Sequence, residues 1–352
     1  MDLETRLELI KRVGEEIITE QELRVLLETK QNPVAYDGFE PSGLAHVPFG
    51  IYRAINMEDL LKAGVKFKLW IADWFAWVNN KMGGDLEKIR RVGEYFVEVW
   101  KAAGIDMSRV EVLWTSDAMD SREYWKKVIL IAKNTTLNRT TRCLTVMGRT
   151  GAELKTTAQL FYPMMQCADI FHLEADICQL GLDQRRANIL AREVGPKLGW
   201  WKPVIVSHHM LIGLEGVKRP EGYDEDRRID VQISSKMSKS KPETCLFVHD
   251  SEEVIESKIR AAFCPERIVE GNPILEYCKY IVFRRFKTLE IERPPQFGGD
   301  LEVDSYDELE KLFREGKIHP LDLKNAAAKA LNEVVKPVRE HFEKNKSAKQ
   351  LY

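Results

Sequence analysis

The sequence predicts an α/β protein, a parallel-sheet domain followed by a mostly helical one. Three observations carry this reading. Short apolar runs alternate with helix-length amphipathic stretches over the first two thirds of the chain. Beyond residue 240 the alternation gives way to a succession of amphipathic helices. The 352 residues, 44% hydrophobic and 31% charged, have the balance of one large or two medium globular domains with a sizeable core.

Taken in order, residues 2–29 read as helical throughout. "NPVAYDGFEPSG" breaks that pattern with Pro33, Gly38, Pro41 and Gly43 and carries a first strand into a turn. The runs "KFKLWIAD" (66–73), "RVEVLWTSD" (109–117), "EADICQLG" (174–181) and "KPVIVSHH" (202–209) read as further strands. Strands separated by helices form βαβ units and a parallel, Rossmann-like sheet, whose ligands sit at the carboxyl ends of its strands. Asp37, Asp73 and Asp117 fall near those ends. Residues 121–150 read as a helical insertion between the halves of the sheet, and 214–230 as a polar, mobile loop. "SEEVIESKIRAAF", "PILEYCKYIVFRRF", "SYDELEKLFREG" and the long stretch from His319 have helical periodicity. The expected domains are therefore 1–240 and 241–352.

Composition narrows the function classes. A net charge of −2 gives no global basic field, so any RNA contact must rest on local patches and shape. The six cysteines show no CxxC spacing and read as reduced thiols. The amino-terminal residues form an amphipathic helix pattern and not a signal peptide, and no apolar run is long enough to span a bilayer. No GxGxxG fingerprint occurs, which argues against an ordinary dinucleotide-binding protein.

Two constellations carry chemistry. "AYDGFEPSGLAHVPFG" (35–50) runs from a strand through a Gly/Pro turn into a helix starting near His46, where free backbone N–H groups favour anions. "ISSKMSKSKPE" (233–243) is cationic, has no acidic residue before Glu243, and follows the last strand. It reads either as a solvated linker or as a loop that closes on phosphate. Separately, "LFYPMMQCADIFHLE" (160–174) is apolar except at Tyr162, Gln166 and Asp169, which share one helical face. Buried polar groups without partners cost about 1–3 kcal/mol each, so this stripe calls for an internal network or a ligand.

"PSGLAHV" and the complete "KMSKS" together resemble the two signatures of class I aminoacyl-tRNA synthetases. The first departs from the family's His-Ile-Gly-His: His46 and Val47 fit, whereas Pro48 and Phe49 stand where Gly and the second His are expected. Tyr36, the stripe "YPMMQCAD" and Gln184 in "GLDQRR" resemble the amino-acid pocket of the tyrosyl-tRNA synthetase family in its archaeal and eukaryotic form, from about residue 32 onward. That resemblance implies ATP-dependent activation of L-tyrosine and its transfer to the terminal adenosine of tRNA(Tyr). It implies that Tyr36 and Asp169 hold the phenolic hydroxyl and that Tyr162, Gln166 and Gln184 hold the ammonium group. His46, Lys236 and Lys239 would be catalytic, and Gly38, Ser42, Met237, Ser238 and Ser240 would join them in binding ATP with Mg²⁺. Arg185 and Arg186 would lie near the first acceptor base pair. Phe297, His319 and Asp322 would read the anticodon from the C-terminal domain, although His319 and Asp322 also make a reasonable helix start. No dedicated metal cage is evident. A cytoplasmic homodimer joined through 121–150 is implied in the same way. The rivals are a tryptophanyl-tRNA synthetase and an inactive paralogue that binds RNA.

Overall fold

The computed structural model of the protein describes residues 1–148 and 156–351, save the side chain of Phe297. Six strands form the main sheet: β1 (Glu16–Ile18), β2 (Val34–Phe39), β3 (Lys66–Ile71), β4 (Val110–Trp114), β5 (Ile177–Cys178) and β6 (Val204–Ser207). Their order is β1-β6-β5-β2-β3-β4, all parallel except β1, which runs antiparallel to β6. The chain builds outward from β2 in one direction through β3 and β4. It then returns to the other side of β2 for β5 and β6. The carboxyl ends of β2 and β5 therefore diverge, which is where such sheets hold ligands.

Strand alternation sorts side chains onto two faces. Ala35, Phe39, Phe67, Leu69 and Ile71 join one apolar core, while Tyr36 and Trp70 join another on the opposite face. The second core is closed by helices Arg122–Lys133 and Tyr162–His172. The first runs without interruption from Leu7 to Ala348 and includes the long helix Pro320–Lys344.

Several sequence expectations change. Residues 2–29 are not one helix: helices Leu3–Lys11 and Glu20–Thr29 flank β1. The capping box of Thr19 with Glu22 starts the second helix afresh. The run at 174–181 contributes only two strand residues, because β5 leaves the sheet at Cys178 to form the site. The loop at 214–230 ends early, with helix Arg227–Ser235 capped by Asp226. The C-terminal part also holds a small antiparallel hairpin, β7 (Leu289–Ile291) with β8 (Leu301–Val303). Residues 121–148 are helical as expected, with helices Arg122–Lys133 and Leu137–Cys143, and the end of that segment lies outside the described residues. All six cysteines are free.

Candidate active site

A cavity of about 370 Å³ opens at the carboxyl ends of β2 and β5. Tyr36, Gly38, Ser42, His46, Tyr162, Gln166, Asp169, Gln184, Lys236, Met237, Ser238 and Lys239 all line it. Ser240 lies just beyond, its hydroxyl 2.8 Å from that of Ser238.

At the deep end, Asp169 is buried and accepts a 2.7 Å hydrogen bond from the Tyr124 hydroxyl. Burial pushes its carboxyl up to about 8, against the pull of Tyr124 and the Trp70 indole toward the charged form. Tyr36, nearly inaccessible at 1% exposure, has a hydroxyl with no partner among the described residues. Its ionisation is pushed far above the ordinary phenol range, chiefly by burial, so it remains a neutral donor. A carboxyl and a hydroxyl, both buried, thus line one slot. Tyr124 lies outside both sequence constellations, in the helical insertion. Its place opposite Asp169 comes from the packing of helix Arg122–Lys133 on helix Tyr162–His172, which no local pattern announces.

The polar stripe has a defined hydrogen-bond direction. The Val146 carbonyl can only accept, so Gln184 Nε2 donates to it at 3.0 Å. Gln184 Oε1 then accepts from Gln166 Nε2 at 3.0 Å, leaving Gln166 Oε1 buried and without a partner among the described residues. The Tyr162 hydroxyl donates to Glu40 Oε1 at 2.8 Å. Its oxygen is left as an acceptor. Two acceptors therefore remain for a cationic donor. Glu40 was missed in the sequence. It is further held by Asn79 at 3.0 Å and faces Lys81 at 3.5 Å, and its position in the Gly/Pro turn after β2 was the available signal.

At the other end, His46 leads into a π-helical turn, Pro48–Tyr52, and helix Arg53–Lys62. Its carbonyl accepts from Phe49 N and Gly50 N. Burial, together with Lys239, Arg53 and Lys236, holds the imidazole well below its ordinary pKa and therefore neutral. Pro48 sits in the first turn, where a missing N–H leaves no bond unmade. Phe49 belongs to an aromatic cluster, with its ring 4.2 Å from Phe96 and 4.6 Å from Trp100. The family's second histidine is thus replaced by core.

Residues 234–237 are not free linker. Ser234 and Ser235 are buried, and their hydroxyls accept from Glu221 N at 3.0 Å and Lys218 N at 2.8 Å. Met237 is buried in the first core. These serines pin the neighbouring loop, so this part of the segment is not the solvated linker that the sequence allowed. Lys236 reaches Asp183 at 2.6 Å. Lys239 donates to the Ser42 carbonyl at 2.7 Å and lies over the Phe96 ring. Burial lowers its pKa to about 8.

The residues expected to meet RNA lie elsewhere. Arg185 pairs with Glu16 at 2.8 Å; Arg186 pairs with Asp224 at 3.2 Å and donates to the Arg142 carbonyl. His319 and Asp322 line a second cavity of about 720 Å³ with Arg293 and Lys317. His319 also caps helix Pro320–Lys344, its Nδ1 accepting from Leu321 N at 3.2 Å. Phe297's side chain lies outside the described residues. Among the described residues no cluster of three His, Cys, Asp or Glu could hold a metal ion.

A mostly parallel sheet that brings the His46 turn and the cationic Lys236–Lys239 segment to one cavity is the arrangement expected of a class I synthetase, and the comparisons agree. Residues 28–219 and 230–336 match the family described as "tRNA synthetases class I (W and Y)". The chain is 46% identical to tyrosine–tRNA ligase 1, cytoplasmic, of Arabidopsis thaliana over 99% of this chain and 88% of that protein. It is 47% identical to tyrosine–tRNA ligase of Sulfurisphaera tokodaii over 97% and 94%. The crystal structure of tyrosyl-tRNA synthetase from Pyrococcus horikoshii, complexed with L-tyrosine, superposes with a TM-score of 0.91 at 40% identity, covering 100% and 99% of the two chains. A tryptophanyl-tRNA synthetase from Aeropyrum pernix shares the fold at 18% identity, with a TM-score of 0.70. The chain belongs to the class I tRNA synthetase family, on its tyrosine–tRNA ligase branch.

Proposed function

We propose that the chain activates L-tyrosine with ATP and transfers it to the terminal adenosine of tRNA(Tyr). One observation carries this: the slot formed by Asp169 and the unpaired Tyr36 hydroxyl shares a cavity with His46, Lys236 and Lys239. A phenol satisfies both groups of the slot. A phenylalanine ring leaves the Tyr36 hydroxyl buried and unpaired and offers Asp169 nothing beyond its bond from Tyr124, and sites built for a hydroxyl strongly reject the analogue that lacks it. Tyr162 and Gln166 offer acceptors to the substrate ammonium, and Gln184 fixes the direction of that array. The substrate carboxylate attacks the α-phosphorus of ATP. An oxygen–phosphorus bond forms and the bond to pyrophosphate breaks, the charge moving onto the leaving group. Such displacement needs positioning and charge stabilisation above all. Lys236 and Lys239 supply the cations, and neutral His46 supplies polarity at a helix start. Gly38 leaves the strand end open, and Ser42, Met237, Ser238 and Ser240 complete the nucleotide's surroundings. Mg²⁺ arrives with ATP, held by phosphates and water.

In this reading residues 1–240 are catalytic and 241–352 bind the anticodon, with Phe297, His319 and Asp322 reading it and Arg185 and Arg186 meeting the acceptor end. The protein works as a cytoplasmic homodimer joined through 121–150. ATP–pyrophosphate exchange with tyrosine, tryptophan and phenylalanine tests the reading. Exchange driven by tyrosine alone is expected, and exchange driven by tryptophan overturns it. Asp169→Ala is expected to weaken tyrosine binding about 10- to 100-fold and erode the preference over phenylalanine.

A further inference from the structure

We infer that Glu276 and Tyr277, outside the parallel-sheet domain, are positioning residues for the lysine segment, acting through Ile212. The inference rests on the reading of Lys236 and Lys239 as the grip on triphosphate.

Residues 211–213 form a short extended strip along the cavity, with His209, Met210 and Leu211 among the lining residues. One edge of the strip carries the lysine segment. Ile212 pairs antiparallel with Lys236, Met237 N donates to the Leu211 carbonyl at 2.7 Å, and Gly213 N donates to the Ser235 carbonyl at 3.0 Å. In this pairing the N–H and C=O of Ile212 itself point the other way, toward the opposite edge. Among the described residues no strand lies there. Two side chains from helix Pro273–Tyr277 take its place. Glu276 Oε2 accepts from Ile212 N at 2.7 Å, and the Tyr277 hydroxyl donates to the Ile212 carbonyl at 2.6 Å. Glu276 Oε1 also takes His209 Nε2 at 2.7 Å, and the His209 ring stacks on Tyr280 at 4.4 Å and 6°.

The strip is thus a strand with backbone on one side and a carboxylate and a phenol on the other. Shifting it carries Lys236 with it. The phenol slot is built from β2 and helices Arg122–Lys133 and Tyr162–His172, and the bonds given for Tyr36, Tyr124 and Asp169 do not involve the strip. Disturbing the clamp should therefore separate the two substrates. A misplacement near 1 Å can cost about 100-fold in rate without removing any catalytic group.

The test uses the full chain, with Glu276→Gln, Glu276→Ala and Tyr277→Phe measured beside wild type. Pyrophosphate exchange gives kcat and KM for ATP, and tyrosine affinity is measured separately by calorimetry. The expected result is a fall in kcat/KM for ATP of about 10-fold or more in Glu276→Ala and Tyr277→Phe, a smaller fall in Glu276→Gln, and tyrosine affinity within about twofold of wild type. Tyr277→Phe removes a single hydroxyl and keeps the ring. It remains informative should Glu276→Ala lose its circular dichroism signal. Unchanged ATP parameters in Tyr277→Phe, or equal losses for ATP and tyrosine, overturn the inference while leaving the function intact. Wild-type protein that fails to exchange with tyrosine overturns both.

Discussion

Asp169 and Asp183 sit in one cavity and ionise in opposite senses. Burial raises both and is the largest single influence on each; for Asp183 the charge and hydrogen bond of Lys236, with Arg53 and His208, together outweigh it and hold the carboxyl below its ordinary range, whereas Asp169 faces only neutral donors and stays near 8. Between an ordinary value of 3.8 and about 8, folded Asp169 keeps a proton that the unfolded chain has lost. Its contribution to stability is complete below that range and disappears as pH rises through about 8. Asp169→Asn lacks this dependence. Relative to wild type, its unfolding free energy in urea titration should climb from acid to pH 8 and then level, with a slope of at most about 1.4 kcal/mol per pH unit. A difference that stays flat, or falls with pH, contradicts the assignment. Glu40 lines the same cavity, beside Tyr162. It draws the Tyr162 proton away and adds negative charge near the expected ammonium. Glu40→Gln keeps an acceptor and loses the charge, so KM for tyrosine should rise roughly tenfold with kcat changing less. An unchanged KM would reduce Glu40 to scaffold.

The close approach of elements decides where these groups point. Helix Leu86–Ala102 crosses β3 and β4 at Gly93, where an added Cβ would meet the Trp114 ring at 2.6 Å and Ile71 at 2.9 Å. Both contacts are with buried or half-buried bulk, so Gly93→Ala should destabilise by about 1–3 kcal/mol in urea titration. An unchanged midpoint would show that the helix can lift away. At this scale the sequence was readable in proportion to length and periodicity. β2, β3, β4 and β6 lay within their apolar runs, and the stripe of Tyr162, Gln166 and Asp169 does face one cavity. β1, β7 and β8 escaped because each is three residues long and defined by a partner far away in the chain. Tyr124 and Glu40 escaped because their roles depend on tertiary neighbours. The buried serines of "ISSKMSKS" looked like solvated loop because serine composition does not distinguish a mobile residue from one that caps a backbone N–H.

Across the whole molecule, the two regions expected from the sequence share one core. The Phe342 ring packs 5.4 Å from Tyr95, and His341 meets Glu98 at 2.6 Å. The Tyr95 hydroxyl accepts from Ala45 N at 3.1 Å, one residue before His46. All eight tryptophans lie before residue 202, so their fluorescence reports the sheet region while far-UV circular dichroism reports helices along the entire chain. The two signals should trace one coincident urea transition. Two separated transitions would show that the helical part unfolds independently. The pairing of Lys236 with Asp183 has its own consequence. An arriving polyphosphate does not find an idle ammonium; it must outbid a carboxylate 2.6 Å away. Under the proposed role of Lys236, nucleotide capture is an exchange of counter-ions, and Asp183 Oδ2, which accepts from Lys236, is freed for another donor when the nucleotide is seated.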